Sequence, residues 1–274
     1  MHQDMFGYEV EIKEHDAIND WPFDESFDQK EILQVLNAFF GYPDMFKNPF
    51  RFYEVNRPGY GIDRSVKVLQ NLNNEYYAIR IFTKPEFRTL DVPFDKATYH
   101  QTRIRQLFQA LREHYPATYF LGTKYLLIIL QQFIFSPVCQ FSDLIEIKGL
   151  LEIIWYASKA RILLDYNQNH WLISETHGLL YVDTDYMGQI LPDCPKALAD
   201  NLNQAMVFLT EENCPILAQA LRELSASGLE QANFVAEFLQ ILKRFLSSFT
   251  DIDSLSKPLQ NKLKWLREIS RFQK

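Results

Sequence analysis

The hydrophobic period of this chain changes once along its length, and that change limits the folds open to it. Three short runs, Phe50–Val55, Ser65–Leu69 and Tyr76–Phe82, are rich in β-branched and aromatic residues, the composition of strands. The segments between them, Asn56–Asp63 and Asn71–Glu75, are dominated by turn formers such as Asn, Gly and Pro. Strands joined by connections this short pair antiparallel, because a parallel pair needs a crossover of a dozen or more residues. After one helical stretch at 95–114, two further strand-like runs follow at 117–125 and 126–135, with Leu121–Lys124 as the bend. Beyond residue 136 the spacing is helical, broken by a single hairpin. A strand-rich first half followed by a helical second half predicts an α+β chain.

At 274 residues the chain suits one large domain or two apposed lobes. An apolar share of 47% with 15% aromatic is too rich for disorder, and only 9 Gly with no internal period argues against repeats or low-complexity linkers. Cys139, Cys194 and Cys214 are few, odd in number and without metal-ligand spacing, so neither a disulfide framework nor a zinc site of cysteines is expected. The start has no basic leader and no apolar core, and the longest tight apolar run is Leu126–Leu130, far short of the ~20 residues of a membrane span. A soluble protein of the reducing cytoplasm is the expectation. A net charge of −7 disfavours general nucleic-acid binding, which depends on Lys and Arg neutralising phosphates. The basic tail Lys257–Lys274, with Glu268 as its one acid, reads as a solvated helix face or as a local anion-binding surface.

The head, residues 1–25, reads as an extended arm held by a few aromatics around Trp21-Pro22-Phe23. Asp28 and Glu31 open a helix over 28–40 as a capping box, and Gly41 and Pro43 stop it. This divides the chain into an arm and helix at 1–49, a strand-rich lobe at 50–135 and a helical lobe at 136–274, with Gln131–Pro137 as hinge. In the helix at 95–114, Ile104, Leu107, Phe108 and Leu111 share a face. Asp143 and Glu146 make a second capping box, opening a helix over 144–164 lined by Ile147, Leu150, Leu151, Ile154 and Ile162. Four more helices are predicted near 195–209, 214–226, 229–249 and 257–272. Asn213 before Cys214-Pro215 and Ser256 before Lys257-Pro258 mark the starts of two of them.

The chemistry concentrates in residues 162–188, a helix end, a polar loop and two apolar strands joined by a turn. The hairpin order puts Asp165 and Asn169 on the same side as Asp183 and Asp185. Four oxygen-bearing side chains there suit Mg²⁺, which takes oxygen ligands and completes its octahedron with substrate phosphates.

The element order over about residues 50–250, together with these positions, resembles the protein-kinase-like fold. It is closer to the small-molecule branch of aminoglycoside and choline kinases than to protein kinases proper. The resemblance implies two lobes, an antiparallel strand-rich N-lobe and a mainly helical C-lobe, with Mg²⁺ and ATP bound in the cleft between them. It implies that Asp165 is the catalytic base, that Asn169 binds metal although it stands one place early with His170 in the family's position, and that Asp183 is the second metal ligand. The family motif continues differently after Asp183, and Asp185 is an alternative or additional ligand. In the N-lobe, Gly59 and Gly61 fall where the phosphate loop should be. Arg80 in Tyr77-Ala78-Ile79-Arg80 takes the place of the family's lysine, an exchange that alters reach and geometry. No glutamate lies between Asp95 and Arg112, so the family's Lys–Glu pair is missing from that helix.

Three functions follow. The first is an ATP-dependent phosphotransferase acting on an unidentified small molecule or protein acceptor. The second is a pseudokinase-like interaction module that binds nucleotide without turnover. The third rests on Leu180–Asp185, an apolar strand ending in Asp-x-Asp, which resembles the metal motif of nucleotide-sugar glycosyltransferases; those enzymes carry it on a parallel, helix-alternating fold. Taken singly, Asp165, Asn169, Asp183 and Asp185 are also ordinary turn and strand-end residues, and His177 beside Gly178 reads as part of a turn.

Overall fold

Turn chemistry and side-chain alternation together build the first sheet. In the computed structural model, which describes residues 11–15, 23, 27–42, 49–56, 65–83, 96–123, 125–136, 138–183, 191–247 and 255–271, Asn71 turns the chain after the third strand. Its Oδ1 accepts the N–H groups of Asn73 at 3.0 Å and Glu75 at 2.9 Å, while Asn74 takes the left-handed conformation at φ 60°. The strands are β1 (Glu11–His15), β2 (Arg51–Asn56), β3 (Ser65–Gln70), β4 (Tyr76–Thr83), β5 (Thr118–Gly122) and β6 (Leu126–Gln132). They lie in the order β1-β2-β3-β4-β6-β5, every neighbouring pair antiparallel.

Because successive strand residues face opposite ways, the sheet has two chemically distinct faces. Phe52, Leu69, Ile79, Ile128 and Leu130 form a buried cluster with Ile32 and Leu36 of helix α1 (Gln29–Phe40). Val55 and Val68 form a second cluster with Tyr53, Val66, Tyr76, Phe133 and Phe135. Helix α1 starts where Asp28 accepts the N–H groups of Lys30 and Glu31, and ends where Gly41 turns left-handed at φ 72°. The head is not only an arm: Glu11–His15 adds β1 to the edge of the sheet, with Ile12 opposite Val55. One apolar residue among charges is a faint strand signal. Phe23 packs edge-on against Phe52.

Helix α2 (Lys96–Leu111) continues into a 3-10 turn at Arg112–His114. Ile104, Leu107 and Leu111 are buried, whereas Phe108 is 43% exposed and the buried polar neighbour is Arg103. At about 100° per residue the buried arc is centred on Leu107 and Leu111. It takes in Arg103 on one side and stops short of Phe108 on the other.

The chain divides into two compact units. Met1–Phe108 and Pro116–Pro137 make the first; Gln109–Tyr115 and Val138–Lys274 make the second. The second contains helices α3 (Leu144–Lys159), α4 (Cys194–Ala205), α5 (Cys214–Ser227), α6 (Leu229–Ser247) and α7 (Lys257–Ser270), and the two-stranded sheet of β7 (Trp171–Ser174) and β8 (Gly178–Tyr181). Asp143 and Glu146 complete the expected reciprocal capping box of α3. The helix ends at Lys159 rather than at 164, because Arg161 turns left-handed at φ 61° and the N–H of Ile162 closes on Ala157 O. Ile162 is still buried, but from an extended segment.

Helix α3 packs on β8, α4 and α5. At Gly149 the approach is close enough that an added Cβ would lie 2.7 Å from Leu179 Cβ. No described helix is long and apolar enough to cross a membrane.

Candidate functional site

Leaving α3, the chain runs through Leu164-Asp165-Tyr166, where Leu164 and Tyr166 are buried and the Asp165 side chain is 40% exposed. Alternation along an extended segment turns Asp165 away from its two neighbours. One residue of α4 holds this segment in place. The fully buried Asn201 accepts the N–H of Leu164 (3.1 Å) and the Tyr166 hydroxyl (3.0 Å) on Oδ1. Its amide donates to Ile162 O (2.8 Å) and Ala197 O (3.0 Å). Nothing in the local sequence around Asp165 signals this contact, because its partner lies 36 positions on.

Beyond Asp165, Asn167 accepts the N–H of Asn169 and starts a single 3-10 turn, Gln168–His170, which leads into β7. Trp171 pairs with Tyr181 across the hairpin, and the N–H of Val182 donates to His170 O at 2.9 Å. That bond carries the pairing one step past the strands, so His170 and Asp183 are brought side by side. From the segment before β5, Tyr115 donates its hydroxyl to Asp183 O at 2.9 Å. His114 bonds Leu179 O at 3.0 Å.

The result is a cluster of Asp165, His170 and Asp183, whose ligand atoms lie within 4.8 Å of one another. His170 Nδ1 stands 3.6 Å from Asp165 Oδ2 and 3.6 Å from Asp183 Oδ2. Those separations are too long for hydrogen bonds, and among the described residues the buried Nδ1 has no hydrogen-bond partner. Tyr181, edge-on to the His170 ring, connects the cluster to an aromatic group in which Trp171 packs with Tyr166, Tyr181, Phe141 and Phe208. Tyr181 ties the backbone of Asp165 to the carboxylate of Asp183. It accepts the N–H of Asp165 at 3.0 Å and lies 3.4 Å from Asp183 Oδ2, to which it donates. Burial first, and then the Asp183 carboxylate, raise the Tyr181 hydroxyl well above the ordinary phenol range. It therefore keeps its proton and remains a donor.

Of the residues predicted from sequence, Asp165 and Asp183 come together here. Asn169 lies on the adjoining 3-10 turn; consecutive side chains on such a turn leave about 120° apart, and it is His170 that faces both carboxylates. Asp185, Gly59 and Gly61 lie outside the described residues. Arg80 is exposed on β4 in the first unit, between Ile79 and Ile81. By alternation it shares the sheet face of Val55 and Val68. Strand β8, which leads to Asp183, is antiparallel to β7 in a two-stranded sheet, unlike the parallel setting expected of a glycosyltransferase motif. The signal for His170 was its position, five residues after Asp165.

Two carboxylates and one imidazole nitrogen converging on a point can hold a divalent cation, and a carboxylate 40% exposed can also take a proton from a bound substrate. The buried nitrogen without a hydrogen bond suits a cation that accepts nitrogen as well as oxygen. Comparison with known proteins finds no family model that matches the chain and no match among curated proteins.

Proposed function

We propose that the chain is a divergent kinase-fold protein that binds a divalent cation and a nucleoside triphosphate, ATP first, and transfers a phosphoryl group to a hydroxyl acceptor. The observation that carries this reading is the meeting of Asp165 and Asp183, 18 positions apart in sequence, within one small cluster. The strand–strand–strand–helix–strand–strand succession from β2 to β6, followed by the helical second unit, supports it.

In this reaction the acceptor oxygen bonds to the γ-phosphorus as the bond to the bridging oxygen breaks. The nucleoside diphosphate leaves, and the hydroxyl proton passes to Asp165. The Asp165 side chain is the more exposed of the two carboxylates, at 40% against 12% for Asp183, which suits contact with an acceptor. Asp183 and its neighbours would hold the metal, which when bound neutralises phosphate charge. Tyr181 orients both carboxylates by bonding the backbone of one and the side chain of the other.

A second reading, nucleotide binding without turnover, is favoured by Arg80 in the lysine's position and by the absence of glutamate from Asp95 to Arg112. A thermal-shift titration with ATP and GTP, each with and without Mg²⁺ or Mn²⁺, tests both. Stabilisation by about 2.7 kcal/mol at ~100 times the dissociation constant, only with metal present, is expected. No shift with any nucleotide would remove both readings.

A further inference from the structure

We infer that the Asp165–His170–Asp183 cluster is built for a transition-metal dication in preference to Mg²⁺. This rests on the reading of the cluster as a metal site and concerns which ion it takes. Mg²⁺ is a hard cation that takes oxygen ligands, holds several waters and demands an octahedron. Imidazole nitrogen suits later ions such as Zn²⁺ and Co²⁺. Here the group facing both carboxylates is His170, with Nδ1 buried, without a hydrogen bond among the described residues, and 3.6 Å from an oxygen of each.

Spacing points the same way. In a tetrahedral set with bonds of ~2.1 Å, neighbouring donor atoms are roughly 3.4 Å apart. In an octahedron with bonds of the same length they are about 3.0 Å apart. The two 3.6 Å separations lie nearer the tetrahedral edge than either the cis edge or the trans span of about 4.2 Å of an octahedron. A histidine held between carboxylates merely by ion pairing would be expected to close to hydrogen-bond distance with at least one of them. The supports are those of a site that must not shift: the hydrogen bond from Val182 N–H to His170 O, the Tyr181 hydroxyl on Asp183, and Asn201 beneath Leu164 and Tyr166.

The test uses the metal-free full chain without nucleotide, so that its outcome is independent of kinase activity. Binding of Co²⁺, Zn²⁺, Mn²⁺ and Mg²⁺ is measured by calorimetry and by melting temperature, and Co²⁺ coordination by its visible absorption. The wild type is expected to bind Zn²⁺ and Co²⁺ at least ~10-fold more tightly than Mg²⁺. Any carboxylate site favours Zn²⁺ to some degree, so the decisive measurement is the change on substitution. His170→Asn should lower Zn²⁺ and Co²⁺ affinity by ~10-fold or more, leave Mg²⁺ affinity unchanged or raised, and alter the Co²⁺ spectrum. Asp183→Asn should weaken every ion. Circular dichroism and melting of the metal-free variants verify folding.

Equal affinity for Mg²⁺ and Zn²⁺ in the wild type overturns the inference. So does Zn²⁺ binding that survives both substitutions, which would mean that other groups hold the ion. If Zn²⁺ binds as expected but no nucleotide stabilises the protein, the kinase reading fails and the metal preference stands. If nucleotide binds with Mg²⁺ and His170→Asn changes no metal ratio, the reverse holds.

Discussion

The Tyr181 hydroxyl accepts the backbone N–H of Asp165 at 3.0 Å, so a residue at the end of β8 fixes the loop that carries the candidate base. The same oxygen lies 3.4 Å from Asp183 Oδ2. Tyr181→Phe keeps the buried ring but leaves the Asp165 N–H without its acceptor. A fully buried unsatisfied donor costs about 1–3 kcal/mol, and this part-buried one should cost toward the lower end. Urea denaturation should show that loss, and metal affinity should fall with it. A variant as stable as the wild type, with unchanged metal binding, would mean that the hydroxyl orients neither carboxylate.

Asp165 and Asp183 should separate by function. Asp183→Asn should abolish metal-dependent stabilisation by nucleotide, and Asp185→Asn should weaken it less. Asp165→Ala, which removes the more exposed of the two carboxylates, should cost less of that stabilisation than Asp183→Asn while lowering turnover by the ~10²–10⁴ that general-base catalysis supplies. Basal ATP hydrolysis serves as the assay until an acceptor is known. Turnover insensitive to Asp165→Ala would remove the assigned base; binding without turnover in the wild type would favour the non-catalytic module.

Gly149 lets α3 approach the hairpin. A methyl group there would sit 2.7 Å from Leu179 Cβ, a contact with the stiff root of a side chain, so backbone must move. Overpacking of this kind costs about 1–3 kcal/mol, more than the roughly 1 kcal/mol that alanine gains over glycine inside a helix. Gly149→Ala should therefore lower the melting temperature. A rise would show that α3 and β8 separate at little cost.

Burial pushes the Cys214 thiol up from 9.0 to about 11, with Lys262 opposing the rise and Glu211 adding to it. The folded chain thus holds this proton where the unfolded chain has released it. The resulting stability is fully present below about pH 9 and is lost as pH climbs toward 11, a loss of roughly 2 kcal/mol at one pH unit per 1.36 kcal/mol. Comparing wild type with Cys214→Ser by denaturation at pH 8 and pH 10.5 reads the thiol's contribution together with the change its loss makes to Lys262, whose charge the thiolate favours. Parallel pH profiles would show that the thiol does not contribute.

The local patterns of the chain were enough to determine most of its elements. Alternation and turn residues place β2, β3 and β4, and proline-led starts place α5 and α7 at Cys214 and Lys257. They also put Asp165 after a helix and Asp183 after a strand. Tertiary contacts decided the rest. Ile12 among charges becomes strand β1 only because β2 offers an edge with Val55 opposite. The end of α3 is set by Arg161 turning left-handed, although helical spacing continues to Leu164 in sequence. His170, not Asn169, faces the carboxylates because the Val182–His170 bond carries the hairpin one step past its strands. Asn201 and Tyr181 reach Asp165's segment from 36 and 16 positions away. Periodicity records which way each side chain faces along its own element; it carries no information about which distant polar group will meet it once both are buried, and that meeting is what assembles the site.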